Sequence, residues 1–339
     1  MKAAVFAYSR RGCETARRVK EILGEDQWRL YTMERLVTED FAPIPKPSCP
    51  FYGECFSWAE AMVFVGSCGI AVREIAPHVR DKRTDPAVLC VDELGRFVIP
   101  LLSGHIGGAN ALALRLAEEL KAVPVITTAT DINGKFSVDA WAARNGYAIG
   151  SMKAAKAVSA AILEGNVPLK SDFPIVTALP AGVAEGSSAD VGIYLTCRTA
   201  EPFAVTLRLI PKMLHLGIGC RKGTPASAIA GAVSRVLEEQ GFDCRAVKCV
   251  ASIDLKAEEQ GLLDFCRDHH WPVSFYTAQE LAAVEGDFTA SSFVRSVTGV
   301  DNVCERAALA GAETLLVRKT ARDGVTIAVA AEHWEVRFG

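Results

Sequence analysis

Apolar runs and polar breaks alternate along the chain in the manner of strands that feed helices. Residues 2–8, Lys-Ala-Ala-Val-Phe-Ala-Tyr, predict a short buried strand, and residues 13–23 the helix after it. A second apolar run at 61–65 enters Gly66-Ser67-Cys68-Gly69 and then a helix over 70–79. The runs 88–91 and 97–102 flank Asp92-Glu93-Leu94-Gly95, a turn-rich tetrapeptide that predicts a hairpin. An amphipathic helix over 110–120 feeds a strand at 123–127. From 135 to 211 the pattern is weaker, with helices around 138–144 and 151–163, short strand-like runs, and a loop rich in Gly, Ala and Ser over 177–189.

Alternation resumes at Met213-Leu214-His215-Leu216-Gly217-Ile218-Gly219-Cys220, read as a strand and glycine turn opening a helix over 225–240. It continues through strands at 246–251 and 273–276, helices at 258–269 and 303–311, and strands at 315–317 and 325–330. The expected fold class is α/β. A doubly wound-like N-terminal region (1–134) and a small middle segment (135–211) precede a separate C-terminal α/β domain (212–339).

Composition narrows the classes. With 339 residues, half of them hydrophobic and 23% charged, the chain is globular rather than disordered. Lys plus Arg at 37 against Asp plus Glu at 40 gives a net charge of −3, where a nonspecific nucleic-acid binder would be basic. Mean hydropathy of +0.19 is high, yet no apolar run approaches the roughly 18 to 20 residues that span a bilayer. The N-terminus has no signal-peptide pattern. A cytoplasmic protein with no nucleic-acid or membrane partner is expected. The 11 cysteines are odd in number and scattered, as in Val88-Leu89-Cys90-Val91, so they read as small buried hydrophobes. Cys49 and Cys55, beside a proline-rich stretch, form the one close pair in an expected exposed loop. Neither a disulfide framework nor a zinc pattern is present, and no bound metal is expected.

Four segments carry candidate chemistry. At Gly66, Ser67 and Gly69 a strand ends in glycines where a helix begins, and amides there favour a carboxylate or phosphate. Downstream, Arg73, Lys82 and Arg83, with Thr84 and Asp85 opening a turn, make a locally basic region in an acidic chain. The third is Ser103-Gly104-His105-Ile106-Gly107-Gly108-Ala109-Asn110, which sets an imidazole among small residues between a strand and a helix. A histidine there is suited to proton transfer. Thr127, Thr128 and Asp131 follow the next strand at the same expected sheet edge. Asp131 could orient His105, contact a substrate amide or cap a helix. The fourth is Gly217-Ile218-Gly219-Cys220-Arg221-Lys222-Gly223-Thr224. Its spacing is GxGxxxG rather than a dinucleotide fingerprint, and it reads as a carboxylate-binding turn in which Lys222 supplies charge.

Gly69-Ile70-Ala71-Val72-Arg73, Asp81-Lys82-Arg83-Thr84-Asp85-Pro86, the Ser103–Asn110 motif and Thr128-Ala129-Thr130-Asp131 together resemble the cobalt-precorrin-5A hydrolase family of anaerobic cobalamin biosynthesis. Leu216 to Thr224, Ser252-Ile253-Asp254-Leu255-Lys256 and Val317-Arg318-Lys319 resemble that family's C-terminal domain. The resemblance implies opening of the δ-lactone of cobalt-precorrin-5A and release of acetaldehyde to give cobalt-precorrin-5B. That chemistry suits His105 as base and Asp131 as its partner or as the group positioning water. Cationic loops would hold the acetates and propionates of a cobalt-corrinoid, which brings its own cobalt, so the chain needs no cofactor of its own. Transient contacts with neighbouring pathway enzymes and a homodimer are further expectations, the latter from the base rates of soluble oligomers. A non-catalytic corrinoid carrier and a nucleotide-dependent α/β enzyme are the alternatives.

Overall fold

A computed structural model describes residues 1–24, 27–81, 84–290, 296 and 299–338. The chain divides into two compact units, Met1–Ala140 and Trp141–Gly339. The first is built on a seven-stranded sheet of β1 (Ala3–Ala7), β2 (Trp28–Thr32), β3 (Phe41–Pro43), β4 (Ala61–Val65), β5 (Ala87–Val91), β6 (Phe97–Leu102) and β7 (Val123–Pro124). Their order is β3-β2-β1-β4-β5-β6-β7. β1 to β5 are mutually parallel, whereas β6 runs antiparallel to β5 and parallel to β7.

Strands β1, β4 and β5 are buried along their whole length because both faces are covered. Successive side chains alternate between the two layers. Ala3, Val5 and Ala7 pack with α1 (Arg10–Leu23) and α4 (Ala109–Leu120). Ala4 and Phe6 pack with α2 (Ser48–Trp58) and α3 (Cys68–Ile75). Ser9 begins α1 with its hydroxyl accepting the Gly12 amide at 3.0 Å. Cys49 and Cys55 thus lie in a helix rather than in the expected loop, and Cys55 is buried. α3 is shorter than the expected 70–79 helix, and β7 is two residues rather than five.

The second unit holds two five-stranded sheets. The first comprises β8 (Tyr147–Ile149), β9 (Val167–Ser171), β10 (Val183–Glu185), β11 (Val191–Leu195) and β12 (Val205–Pro211), covered by α7 (Met152–Glu164). β10 lies inside the stretch expected as loop and pairs with β9. The second comprises β13 (Leu214–Cys220), β14 (Val247–Ile253), β15 (Val273–Tyr276), β16 (Thr314–Arg322) and β17 (Val325–Ala331), in the order β15-β14-β13-β17-β16. Leu214, Leu216 and Ile218 face α8 (Ala226–Glu239) and α9 (Gln260–Asp268). Ile210 and Ala148 from the preceding sheet, and Cys197 just after β11, join this core. The opposite face of β13 carries Gly217, whose absent side chain lets the short helix Cys304–Leu309 lie directly on the strand.

Candidate functional site

The hairpin of β5 and β6 decides where the loops fall. Val88, near the start of β5, pairs with Leu102 at the end of β6. The segment after β6 therefore emerges where the parallel strands begin. Here Ser103 turns with a φ of +57°, and its hydroxyl donates to the Asp85 carbonyl at 3.0 Å. Gly107 closes the loop, since a Cβ there would stand 2.3 Å from that of Ser103. A Cβ on Gly104 would lie 2.8 Å from Asn110 Oδ1, so these two glycines serve the packing of the loop itself. Gly108, at φ +82°, leads into α4.

Asn110 is buried in the first turn of α4 and donates to Thr128 Oγ1 at 2.8 Å and to Asp131 Oδ2 at 3.0 Å. Thr128 also donates to Asp131 Oδ2. Asp131 lies in α5 (Ala129–Ile132), and its Oδ2 accepts from His105 Nε2 at 2.8 Å. Burial alone would raise the Asp131 carboxyl, but hydrogen bonds from Thr128, His105 and Asn110 outweigh it and hold the group below its ordinary value. The acid stays ionised at neutral pH. An ionised carboxylate accepts only, so Nε2 carries a proton. Nδ1 faces Asp139 Oδ1 at 3.5 Å.

Asp139 escaped the sequence reading. It stands buried in the first turn of α6 (Val138–Arg144), where its Oδ1 also accepts from Ser137 Oγ at 3.1 Å and the Ala140 amide at 3.0 Å. Thr130 was missed as well, and its Oγ1 lies 3.1 Å from His105 Nε2. The Ser137-Val138-Asp139 start of a helix was the available signal for Asp139. Thr127 is exposed beside this cluster.

Gly66, Ser67 and Gly69 lie elsewhere. They follow β4, where the parallel strands end, beside Tyr8 and Ser9 at the close of β1. The strand order reverses between β1 and β4, which is the usual ligand crevice of doubly wound sheets. Tyr8 and Tyr52 share a hydroxyl contact of 2.8 Å there, and Ser9 donates to Glu93 at 2.6 Å. Arg73 Nη1 turns back to the Gly69 carbonyl at 3.3 Å. This loop and His105 therefore occupy opposite ends of five-residue strands, about 17 Å of extended chain apart. They do not share a sheet edge. Thr84 and Asp85 belong to the His105 end. Asp85 is buried and its Oδ2 accepts the Arg80 amide at 2.9 Å, an anchoring role. Lys82 and Arg83 lie outside the described residues.

In the second unit, Gly217, Gly219 and Cys220 are strand residues of β13 rather than members of a turn. Burial pushes the Cys220 thiol up. The turn proper is 221–224, where the Gly223 amide already donates to Glu259 Oε2 at 2.9 Å. Lys256 Nζ is 3.2 Å from Glu259 Oε1. A carboxylate-binding turn is present, and a carboxylate of this chain fills it. Lys222 is exposed nearby.

Residues 51–131 match the family Cobalamin synthesis G N-terminal, and residues 214–330 match Cobalamin synthesis G C-terminus. The cobalt-precorrin-5A hydrolase of Salmonella typhimurium is 34% identical over 352 residues, covering 97% of each chain. That of Priestia megaterium is 32% identical, covering 96% of this chain and 94% of its own. The chain belongs to the cobalt-precorrin-5A hydrolase family. The solved structure of CobE, a protein from the cobalamin (vitamin B12) biosynthetic pathway, is 35% identical over 36% of this chain and 92% of its own, with a TM-score of 0.34. Within the family match at the N-terminus lie both loops of the first unit, His105 and Asp131 included, while Asp139 falls just beyond it. Among the described residues, no group of three or more His, Cys, Asp and Glu side chains is arranged to hold a metal, and no helix is long and apolar enough to cross a membrane.

Proposed function

We propose that this chain is a hydrolase that opens the δ-lactone of cobalt-precorrin-5A and releases acetaldehyde, giving cobalt-precorrin-5B. The observation that carries the reading is full-length relationship to two proteins of that name, together with an imidazole–carboxylate pair at a partly open sheet edge. Water adds to the lactone carbonyl, yielding a carboxylate and a free hydroxyl. His105 then takes the hydroxyl proton as the oxygen forms a carbonyl and the adjoining carbon–carbon bond breaks. The bonding pair passes into the conjugated macrocycle, whose cobalt travels with the substrate. Asp131 and Asp139 aim the ring from its two sides. Lys82 and Arg83, near Thr84 and Asp85 in sequence, would meet peripheral carboxylates of the corrinoid.

Incubating the protein with the lactone-bearing intermediate and assaying acetaldehyde tests this directly. Stoichiometric acetaldehyde and a ring-opened product are expected. Tight binding of the intermediate with no acetaldehyde formed would instead make the chain a corrinoid carrier.

A further inference from the structure

A second cluster of reactive side chains lies in the second unit, and the reaction above does not use it. His215 on β13 pairs in register with Cys249 on neighbouring β14. Both lie on the sheet face that Gly217 shares, away from the Leu214 and Leu216 core. His215 Nδ1 is 3.2 Å from Cys249 Sγ, and its Nε2 is 2.8 Å from Glu332 Oε1. Lys248 Nζ reaches the same carboxylate oxygen at 2.6 Å. Burial alone would raise the Glu332 carboxyl, but hydrogen bonds from Lys248 and His215 hold it below its ordinary value, so it is an ionised acceptor. That acceptor fixes the tautomer: Nε2 carries the proton, and Nδ1 presents a lone pair to the thiol.

The ring is held firmly. His215 is only 6% exposed, and a Cβ on Gly311 would lie 2.8 Å from its Cε1. Cys249 remains partly exposed. Burial, then the charge of Glu332, pushes its thiol up, so the sulfur is protonated at rest and needs a base to react. The base is in place. At a second cysteine–histidine contact among the described residues, Cys49 Sγ is 3.7 Å from His78 Nε2, but that nitrogen is 3.0 Å from the Cys49 carbonyl and donates to it. Cys249 alone of these two therefore has nucleophile, base and orienting carboxylate in sequence.

We propose that Cys249, His215 and Glu332 form a nucleophilic thiol site that takes small aldehydes as reversible covalent ligands. As Sγ attacks the carbonyl carbon, the thiol proton passes to His215 Nδ1 and the π pair moves to oxygen. The imidazolium then protonates that oxygen. A hemithioacetal forms, nothing is oxidised or reduced, and no leaving group or second base is required. The choice of acetaldehyde as ligand rests on the proposed function, whereas activation of the thiol does not.

The test uses the full chain and peptide-resolved alkylation by iodoacetamide, with Cys220 as internal reference because it is likewise partly exposed and raised by burial. Cys249 is expected to alkylate about tenfold faster than Cys220, an excess that His215→Gln removes and Glu332→Gln cuts by about threefold. Millimolar acetaldehyde should slow labelling of Cys249 reversibly and leave Cys220 unchanged. Equal rates at the two cysteines, or an unchanged rate in folded His215→Gln, overturn the site. If His215→Gln does not fold, an unchanged rate in Glu332→Gln overturns it equally. Absence of protection by acetaldehyde overturns the aldehyde assignment. None of these readouts needs the corrinoid, so failure of the wild-type chain to release acetaldehyde would sink the proposed function while leaving this result standing.

Discussion

His105 Nδ1 and Asp139 Oδ1 face one another at 3.5 Å, so a buried carboxylate stands across the imidazole from Asp131. The ring is thereby oriented from both sides by groups on two successive helices, α5 and α6. This gives a graded expectation. His105→Ala should slow acetaldehyde release by about 10²- to 10⁴-fold while leaving folding and corrinoid binding intact, the range for a lost acid or base. Asp131→Asn should cost a comparable or smaller factor, because an amide in its place no longer requires a proton on Nε2. Asp139→Asn should lower kcat less than either and leave KM within about twofold, as suits a residue that aims the ring. Wild-type turnover in His105→Ala, with chemistry rate-limiting, would move the base elsewhere.

Separation of the two loops yields a second expectation. Arg73 hydrogen-bonds the Gly69 carbonyl at the end where the parallel strands finish, whereas Asp85 is tied to Ser103 at the His105 end. If the macrocycle sits at the His105 end, Lys82→Gln with Arg83→Gln should weaken binding and flatten its salt dependence, and Arg73→Gln should change little. Titrations at low and high salt decide it. A larger effect from Arg73→Gln would place the substrate in the crevice between β1 and β4 instead.

Much of this architecture was legible because buried parallel strands write themselves as unbroken apolar runs: β1, β4 and β5 stand where the pattern put them. His105 and Asp131 were legible as a pair because β6 and β7 are parallel, so the segments after them emerge together. The relation of His105 to Gly66 was not. It depends on β6 reversing direction, and a hairpin sends its second strand back to the opposite edge. β10 hid because a three-residue strand gains its stability from pairing with β9 rather than from its own composition. Gly217 and Gly219 resembled a ligand turn because a glycine needed for close packing and one needed for a turn look alike in sequence.

Acid should unfold the protein through identifiable carboxylates. Burial alone would raise Asp131, Glu305 and Glu332, yet hydrogen bonds from neighbouring groups hold each below its ordinary value. Glu305 is wholly buried and accepts the Lys319 amide at 2.6 Å and the Thr289 amide at 2.8 Å. A carboxyl depressed on folding stabilises the protein above its unfolded pKa, and that stabilisation is lost as pH falls through the folded value. Unfolding free energy should thus be level from neutral pH down to about pH 5 and fall steeply below about pH 4. Glu305→Gln should lower stability at pH 7 and make the acid decline shallower. An equally steep decline in that variant would remove Glu305 from the account.

The backbone approach at Gly217 makes the sharpest stability prediction. A Cβ placed there would lie 1.7 Å from the Cys304 carbonyl oxygen and 2.7 Å from the Ala308 amide nitrogen, both of them main-chain atoms of the helix Cys304–Leu309. No rotamer change relieves a clash with backbone. The helix would have to lift from the sheet, separating Cys304 and Ala308 from Ala328 and Ala330. Gly217→Ala should therefore destabilise the second unit by at least about 2 kcal/mol, at the upper end for a single added methyl group. Gly231→Ala, in the exposed middle of α8 with open space at its Cβ, should be neutral or stabilising by a few tenths to about 1 kcal/mol. Denaturant titrations of the two variants make the comparison, and equal midpoints would show that the helix yields to the methyl group without cost.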